Sequence, residues 1–265
     1  MGIQKTLKRE DCTLVYDVWP GERPVAIVLI HGYGVHRGMW KPQVKALQEA
    51  GYPVINMDVR GHGDSRPTKS FSVRAAAEDL YAILEAEQYP KTIIVGLSMG
   101  GFVTQEYAAV FGGALGYMVV GTTPMFMRYA NWEKLALQYS GSIMKYLYTW
   151  KSLKKAMSKG STFTPAAYNE AMNMFGRMNK EEFLISWQGL STCLYERKIR
   201  LDAPLLVVCG DEDTRGTIKK HLSDWPVQYP GCTVKTIPRA GHLANLDAPE
   251  TFNKILLSFI KSCAP

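Results

Sequence analysis

The amino-acid sequence predicts an α/β fold: a mostly parallel central sheet with helices on both faces, carrying a helical insertion. Three observations lead there. Short β-branched apolar runs alternate with helical periods from residue 11 to 120, and the same rhythm resumes after Pro204. Residues 25–30 (VAIVLI) are apolar at every position, as a strand buried on both faces requires. Between about 124 and 200 the strand signal vanishes and helical stretches replace it.

After VAIVLI, residues 41–50 read as a helix ended by Gly51. VINMD at 54–58 is the next strand, and 73–87 is a long helix. TIIVGL at 92–97 is a strand, followed by a helix from Met99 to about Phe111 and a strand at 115–121 (LGYMVVG). Alternation at this spacing means parallel strands joined by helical crossovers. The insertion reads as several helices rich in Met, Tyr, Trp and Phe, broken near Gly160 and Pro165. Seven of the 12 methionines lie in it, suited equally to filling gaps in a helical core and to walling an adaptable apolar pocket. Within it, Tyr146, Trp150, Leu153 and Met157 fall on one helical stripe, with Lys151, Lys154, Lys155 and Lys159 off it. We read this as a cap helix with its lysines in water; an anionic membrane surface is the alternative. LLVVC after Pro204, a helix near 217–225, TVKTI at 233–237 and a helix over 248–261 complete the chain. Asp247 and Glu250 have the spacing of a capping box for that last helix. The expected organisation is a core of residues 1–123 and 201–265, with a cap of 124–200.

Composition narrows the function classes. Of 265 residues, 46% are hydrophobic and 21% charged, which excludes wholesale disorder. A chain of this length buries roughly three quarters of its unfolded surface. No apolar run approaches the ~18 residues of a membrane-spanning helix. The first residues, MGIQKTLKRE, lack the apolar region of a secretory signal. Gly2 and Thr6 match the myristoylation pattern, which is too short to carry weight. Five widely spaced cysteines without a Cys-x-x-Cys pair argue against a disulfide framework or zinc site and for the cytoplasm. The net charge of +7 belongs to one segment: residues 124–200 hold 12 basic and 5 acidic side chains, the remainder 19 of each. No nucleic-acid partner is expected.

The chemistry centres on Gly96-Leu97-Ser98-Met99-Gly100-Gly101, between an apolar strand and a helix. A nucleophile on so sharp a turn needs small flanking residues, and the following helix aims its amides and positive end at the serine. A serine needs a base oriented by a third group. His242, in PRAGHLAN, lies past the TVKTI strand, where loops place side chains over the sheet's carboxyl edge. His221, in KKHLSDW, reads as a solvated helix residue. The loop Gly210-Asp211-Glu212-Asp213 supplies the acid, in the chain order Ser…Asp…His. An acid that must turn back to His242 favours Asp213, leaving Asp211 a turn or capping role. His31-Gly32-Tyr33-Gly34 follows VAIVLI, and its glycines let the Tyr33 amide swing toward a substrate oxyanion, beside the Met99 amide. The spacing Gly32-x-Gly34-x-x-x-Gly38 is one residue too long for a dinucleotide fingerprint, and no Walker sequence occurs.

HGYG at 31–34, DVRGHGDS at 58–65, GLSMGG at 96–101, GDED at 210–213 and GH at 241–242 together resemble the α/β-hydrolase superfamily over nearly the whole chain. The resemblance implies Ser98 as nucleophile, Asp213 as acid, His242 as base, Tyr33 and Met99 amides as oxyanion hole, and 124–200 as a helical cap. The SMGG form is similar to esterases, monoacylglycerol lipases, perhydrolases and carbon–carbon bond hydrolases. Serine at 98 argues against epoxide-hydrolase-like relatives, which use a carboxylate. The expected activity is cleavage of small-molecule carboxylic esters with an apolar or aromatic part, without metal or organic cofactor. The alternatives are a carbon–carbon bond hydrolase, a perhydrolase, or a slow-turnover ligand receptor on the same fold.

Overall fold

Consecutive residues of a strand face opposite sides of its sheet, so a strand buried at every position is covered on both faces. Five strands meet that test in the computed structural model, which describes residues 2–264 apart from 198, 200 and 202. In chain order the elements begin with β1 (Ile3–Lys8), β2 (Thr13–Trp19) and β3 (Ala26–Ile30). They continue through α1 (Lys41–Glu49), β4 (Val54–Met57), α2 (Val73–Glu87), β5 (Thr92–Leu97), α3 (Met99–Val110) and β6 (Gly116–Val120). The fully buried strands are β3, β4, β5, β6 and β7 (Leu205–Gly210). With β8 (Thr233–Ile237) they complete one eight-stranded sheet in the order β1-β2-β4-β3-β5-β6-β7-β8. All pairings from β4 to β8 are parallel; β1 and β2 form an antiparallel hairpin at one edge. That hairpin has no counterpart among the strands read from the sequence. β1 is a polar edge strand whose residues stay partly exposed, so it lacks the apolar run that marks the others.

Helix starts follow local chemistry. Ser72 Oγ accepts from the Ala75 amide at 3.0 Å to cap α2, and Gln88 closes it in the left-handed conformation. Four helices separate β6 from β7: α4 (Asn131–Leu147), α5 (Trp150–Ser161), α6 (Pro165–Phe175) and α7 (Lys180–Leu190). Thr149 caps α5, Thr164 caps α6 ahead of Pro165, and Asn179 with Glu182 forms a reciprocal box on α7. The stripe from Tyr146 to Met157 is therefore not one helix, because the chain breaks at Tyr148 and Thr149. Met125, Met144, Met174 and Met178 are buried in the apolar core, which favours packing for those four. The boundary expected at residue 200 lies outside the described residues.

Two expectations near the end of the chain are corrected. No regular helix spans 217–225; a 3-10 turn at Leu222–Asp224 leads into the short α8 (Trp225–Gln228). Pro226 suits a first helical turn but has no N–H to continue one begun upstream. A short α9 (Ala244–Asp247) precedes α10 (Pro249–Cys263), whose cap residue is Ala248 and receives no side-chain bond. Asp247 is thus not the acceptor of a capping box; its carboxylate is used elsewhere.

Candidate active site

β5 ends at Leu97 and α3 begins at Met99, so Ser98 alone makes the turn. Its backbone stands at φ 55°, a conformation few non-glycine residues adopt. The strain is held by crowding on both sides. A Cβ at Gly96 would lie 2.1 Å from the Gly100 carbonyl oxygen, and one at Gly100 only 2.3 Å from the Ile30 oxygen. The Ser98 amide donates to the Val120 carbonyl at 2.7 Å, fixing the turn to the end of β6. Ser98 is only half-buried, while Met99 at the amino end of α3 is wholly buried.

The loops after β7 and β8 meet beside it. His242 Nδ1 and Asp213 Oδ2 lie 2.9 Å apart in a hydrogen bond, with both residues buried. Burial pushes the Asp213 carboxyl up, but attraction to His242, its hydrogen bond and the Arg215 amide outweigh that and hold it below the usual carboxylate range. Asp211 instead accepts from the Ala240 amide at 3.3 Å, a loop-closing bond. Gly121, one residue beyond the strand end that holds Ser98, leaves no room against the His242 ring: a Cβ there would sit 3.0 Å from Nδ1. Ser98 and His242 thus flank the end of β6. Ser98 Oγ makes no hydrogen bond to any described residue.

The segment from 31 to 34 is fixed from below. His31 Nε2 accepts from the Val59 amide at 2.9 Å, so Nδ1 carries the proton and donates to the Gly32 oxygen at 2.7 Å. Burial lowers the His31 pKa to about 3, which keeps the ring neutral. Asp58 accepts from the Arg37 amide at 2.7 Å and the Asp64 amide at 2.8 Å, tying the DVRGHGDS turn to the same loop. The Tyr33 hydroxyl donates to the Phe183 carbonyl of α7, and its ring packs on Phe183 and Trp187 at 4.5 and 5.0 Å. Trp150 of α5 stands 5.4 Å from Phe183, so an aromatic cluster packs around the Tyr33 ring.

Several contributors gave no sequence signal. Arg215 reaches from the acid loop to α5, donating to Ser161 Oγ at 3.0 Å through Nε. Asp247 accepts from the amides of Gly241, Phe163 and Thr164 at 2.7 to 3.0 Å, joining the histidine loop to the α5–α6 junction. His221 is buried rather than solvated, bridging Asp224 at 2.6 Å and Glu133 of α4 at 3.1 Å. A short spacing to Asp224 was visible in KKHLSD, but the Glu133 contact spans 88 residues. A cavity of about 640 Å3 lined by Leu201, Leu205, Tyr229 and Cys232 opens at the start of β7. It lies at the amino edge of the sheet, whereas Ser98 stands at the carboxyl edge where such sheets place their sites. No group of acidic, histidine or cysteine side chains among the described residues could hold a metal ion.

A family model described as the alpha/beta hydrolase family matches residues 27–255. A 3-oxoadipate enol-lactonase from Acinetobacter baylyi is 26% identical, over 96% of this chain and 95% of its own. A monoacylglycerol lipase from Mycolicibacterium smegmatis is 28% identical, over 76% of this chain and 75% of its own. The solved structure of a thermophilic esterase from Thermogutta terrifontis superposes with a TM-score of 0.84 at 19% identity, covering both chains completely.

Proposed function

Because this chain belongs to the alpha/beta hydrolase family, we propose that it is a serine hydrolase cleaving carboxylic esters with an apolar or aromatic part. The observation that carries this reading is the Asp213–His242 bond beside the strained Ser98 turn. Asp213 holds Nδ1–H, which leaves His242 Nε2 as the basic nitrogen. Ser98 Oγ attacks the ester carbonyl as His242 takes its proton. The resulting oxyanion is held by the Tyr33 and Met99 amides, each such donor lowering the barrier by about 2.7–4 kcal/mol. His242 then protonates the leaving alcohol, and the acyl group stays on Ser98. Water, deprotonated by His242, releases the acid and restores the serine. No metal or organic cofactor enters these steps.

The aromatic cluster of Tyr33, Phe183, Trp187 and Trp150 supports an apolar or aromatic acyl group. Residues 124–200 serve as the cap on a core of 1–123 and 201–265, a reading supported by the bonds from Tyr33, Arg215 and Asp247 into α5, α7 and the α5–α6 junction. Similarity to an enol-lactonase and to a monoacylglycerol lipase supports the ester bond class, since a lactone is a cyclic ester. All five cysteines are free thiols, which supports a cytoplasmic setting.

The test is a fluorophosphonate probe together with a p-nitrophenyl ester series of increasing chain length. Wild type is expected to label rapidly and turn over repeatedly, and Ser98→Ala to do neither while melting at the same temperature. Labelling that survives in Ser98→Ala would overturn the assignment, and one slow turnover per molecule would favour a receptor.

A further inference from the structure

Helix α4 has one buried residue, Met144. Six of its large apolar side chains lie on the outer side instead. Trp132, Leu135, Tyr139, Ile143, Tyr146 and Leu147 are between 49% and 75% exposed. At about 100° per residue all six fall within a sector of about 120°. An exposed apolar stripe of this length, on a helix roughly 25 Å long, marks an interaction surface.

Charge indicates what the surface meets. Residues 124–161, which carry α4 and α5, hold seven basic side chains and one acidic one. That one, Glu133, is half-buried and already paired with Lys220 and His221. Two cations sit directly on the apolar face, Lys220 over the Trp132 ring at 5.1 Å and Lys145 over the Tyr146 ring at 5.3 Å. Lys151 and Lys155 of the next helix are exposed. A second copy of this chain would bring like charges together, whereas an anionic lipid surface attracts them and receives the aromatic and aliphatic side chains at its headgroup boundary. We propose that the outer face of α4 docks on an anionic lipid surface.

The site is close behind it. Trp187 of α7 donates through Nε1 to Ser140 of α4 at 2.9 Å, and the same ring packs on Tyr33. Apolar esters concentrate in lipid, so docking brings the protein and such substrates into one phase; that benefit alone rests on the ester reading.

Sedimentation of the full chain with vesicles tests the proposal without catalysis. Phosphatidylcholine vesicles are compared with phosphatidylcholine–phosphatidylglycerol vesicles at low and near-physiological salt. Binding is expected only with phosphatidylglycerol present, weakening as salt screens the attraction. The variant Leu135→Gln/Tyr139→Gln/Ile143→Gln should lose binding roughly tenfold or more. Lys145→Gln/Lys151→Gln/Lys155→Gln, which alters only exposed side chains, should lose a similar factor and guards against a misfolded first variant. Both should keep wild-type turnover of p-nitrophenyl acetate, and Ser98→Ala should bind vesicles as wild type does. Absence of binding to the anionic vesicles, or binding unchanged in the lysine variant, overturns the proposal. So does a dimer in sedimentation equilibrium that the α4 variant converts to monomer, which would assign the face to a second copy.

Discussion

Asp211 and Asp213 stand two residues apart after β7, yet Asp213 reaches His242 while Asp211 closes the loop on Ala240. Asp213→Asn is expected to lower ester turnover by about 10⁴, because the amide favours the wrong imidazole tautomer. Asp211→Asn should cost far less; steady-state kinetics of both variants, with the order reversed, would move the acid to 211. Acid also acts on this molecule through buried histidines. Burial lowers the pKa of both His31 and His62 to about 3, so each binds its proton in the unfolded chain long before it does in the native one. Stability is therefore lost as pH falls below about 6.5, by up to about 1.4 kcal/mol per pH unit for each histidine. The depressed Asp213 adds a second loss lower down: its contribution is complete above about 4 and disappears as pH falls through the native value. Melting temperatures between pH 7 and 4 should show the slope (roughly the histidine window), and His62→Gln should flatten it.

Elements are held to one another by few, charged bonds. The Asp247 carboxylate collects amides from Gly241 on one side and from Phe163 and Thr164 on the other. Hydrogen bonds to a charged group contribute about 1.5–3 kcal/mol each, and the two ends are partly exposed. Asp247→Ala should then destabilise the protein by about 2–3 kcal/mol. Hydrogen exchange should quicken at Gly241, Phe163 and Thr164, with the first turn of α10 unaffected. A capping role would give the opposite pattern, fraying α10 and sparing the α5–α6 junction. The elbow is an element-level device too, since Gly96 and Gly100 admit contacts to backbone that any Cβ would break.

Across the whole molecule, burial is uneven. β5 is buried at all six positions, whereas α4 buries one residue of 17. Elements with few buried apolar contacts open locally, at a fraction of the global unfolding free energy. Native-state hydrogen exchange should find β3, β5 and β6 amides exchanging only through global unfolding, and α4 amides exchanging earlier by local opening. Equal protection of α4 and β5 in the isolated protein would show that the four-helix segment and the sheet unfold as one unit. The charge divides along similar lines: residues 124–200 carry the whole net +7.

The parallel strands, the helices α1, α2 and α3 between them, and the residue types of the candidate site were legible in the amino-acid sequence alone. Each is a local matter: an apolar run such as TIIVGL, a 3.6-residue period over 73–87, or glycines around Ser98 are written in neighbouring residues. α2 and β5 occupy the ranges read from the sequence, 73–87 and 92–97. Partners distant along the chain were decided only by tertiary structure. Beyond the Asp213–His242 pair, which chain order already pointed to, the pairing of Arg215 with Ser161, of His221 with Glu133 and of Asp247 with Thr164 depends on the segments after β7 and β8 meeting helices α4, α5 and α6. No local spacing encodes that meeting, so Asp247 read as a cap and His221 as surface. The polar β1 and the outward apolar face of α4 were hidden for a related reason. Which side of an amphipathic segment is covered depends on what packs against it, and that is a property of the fold.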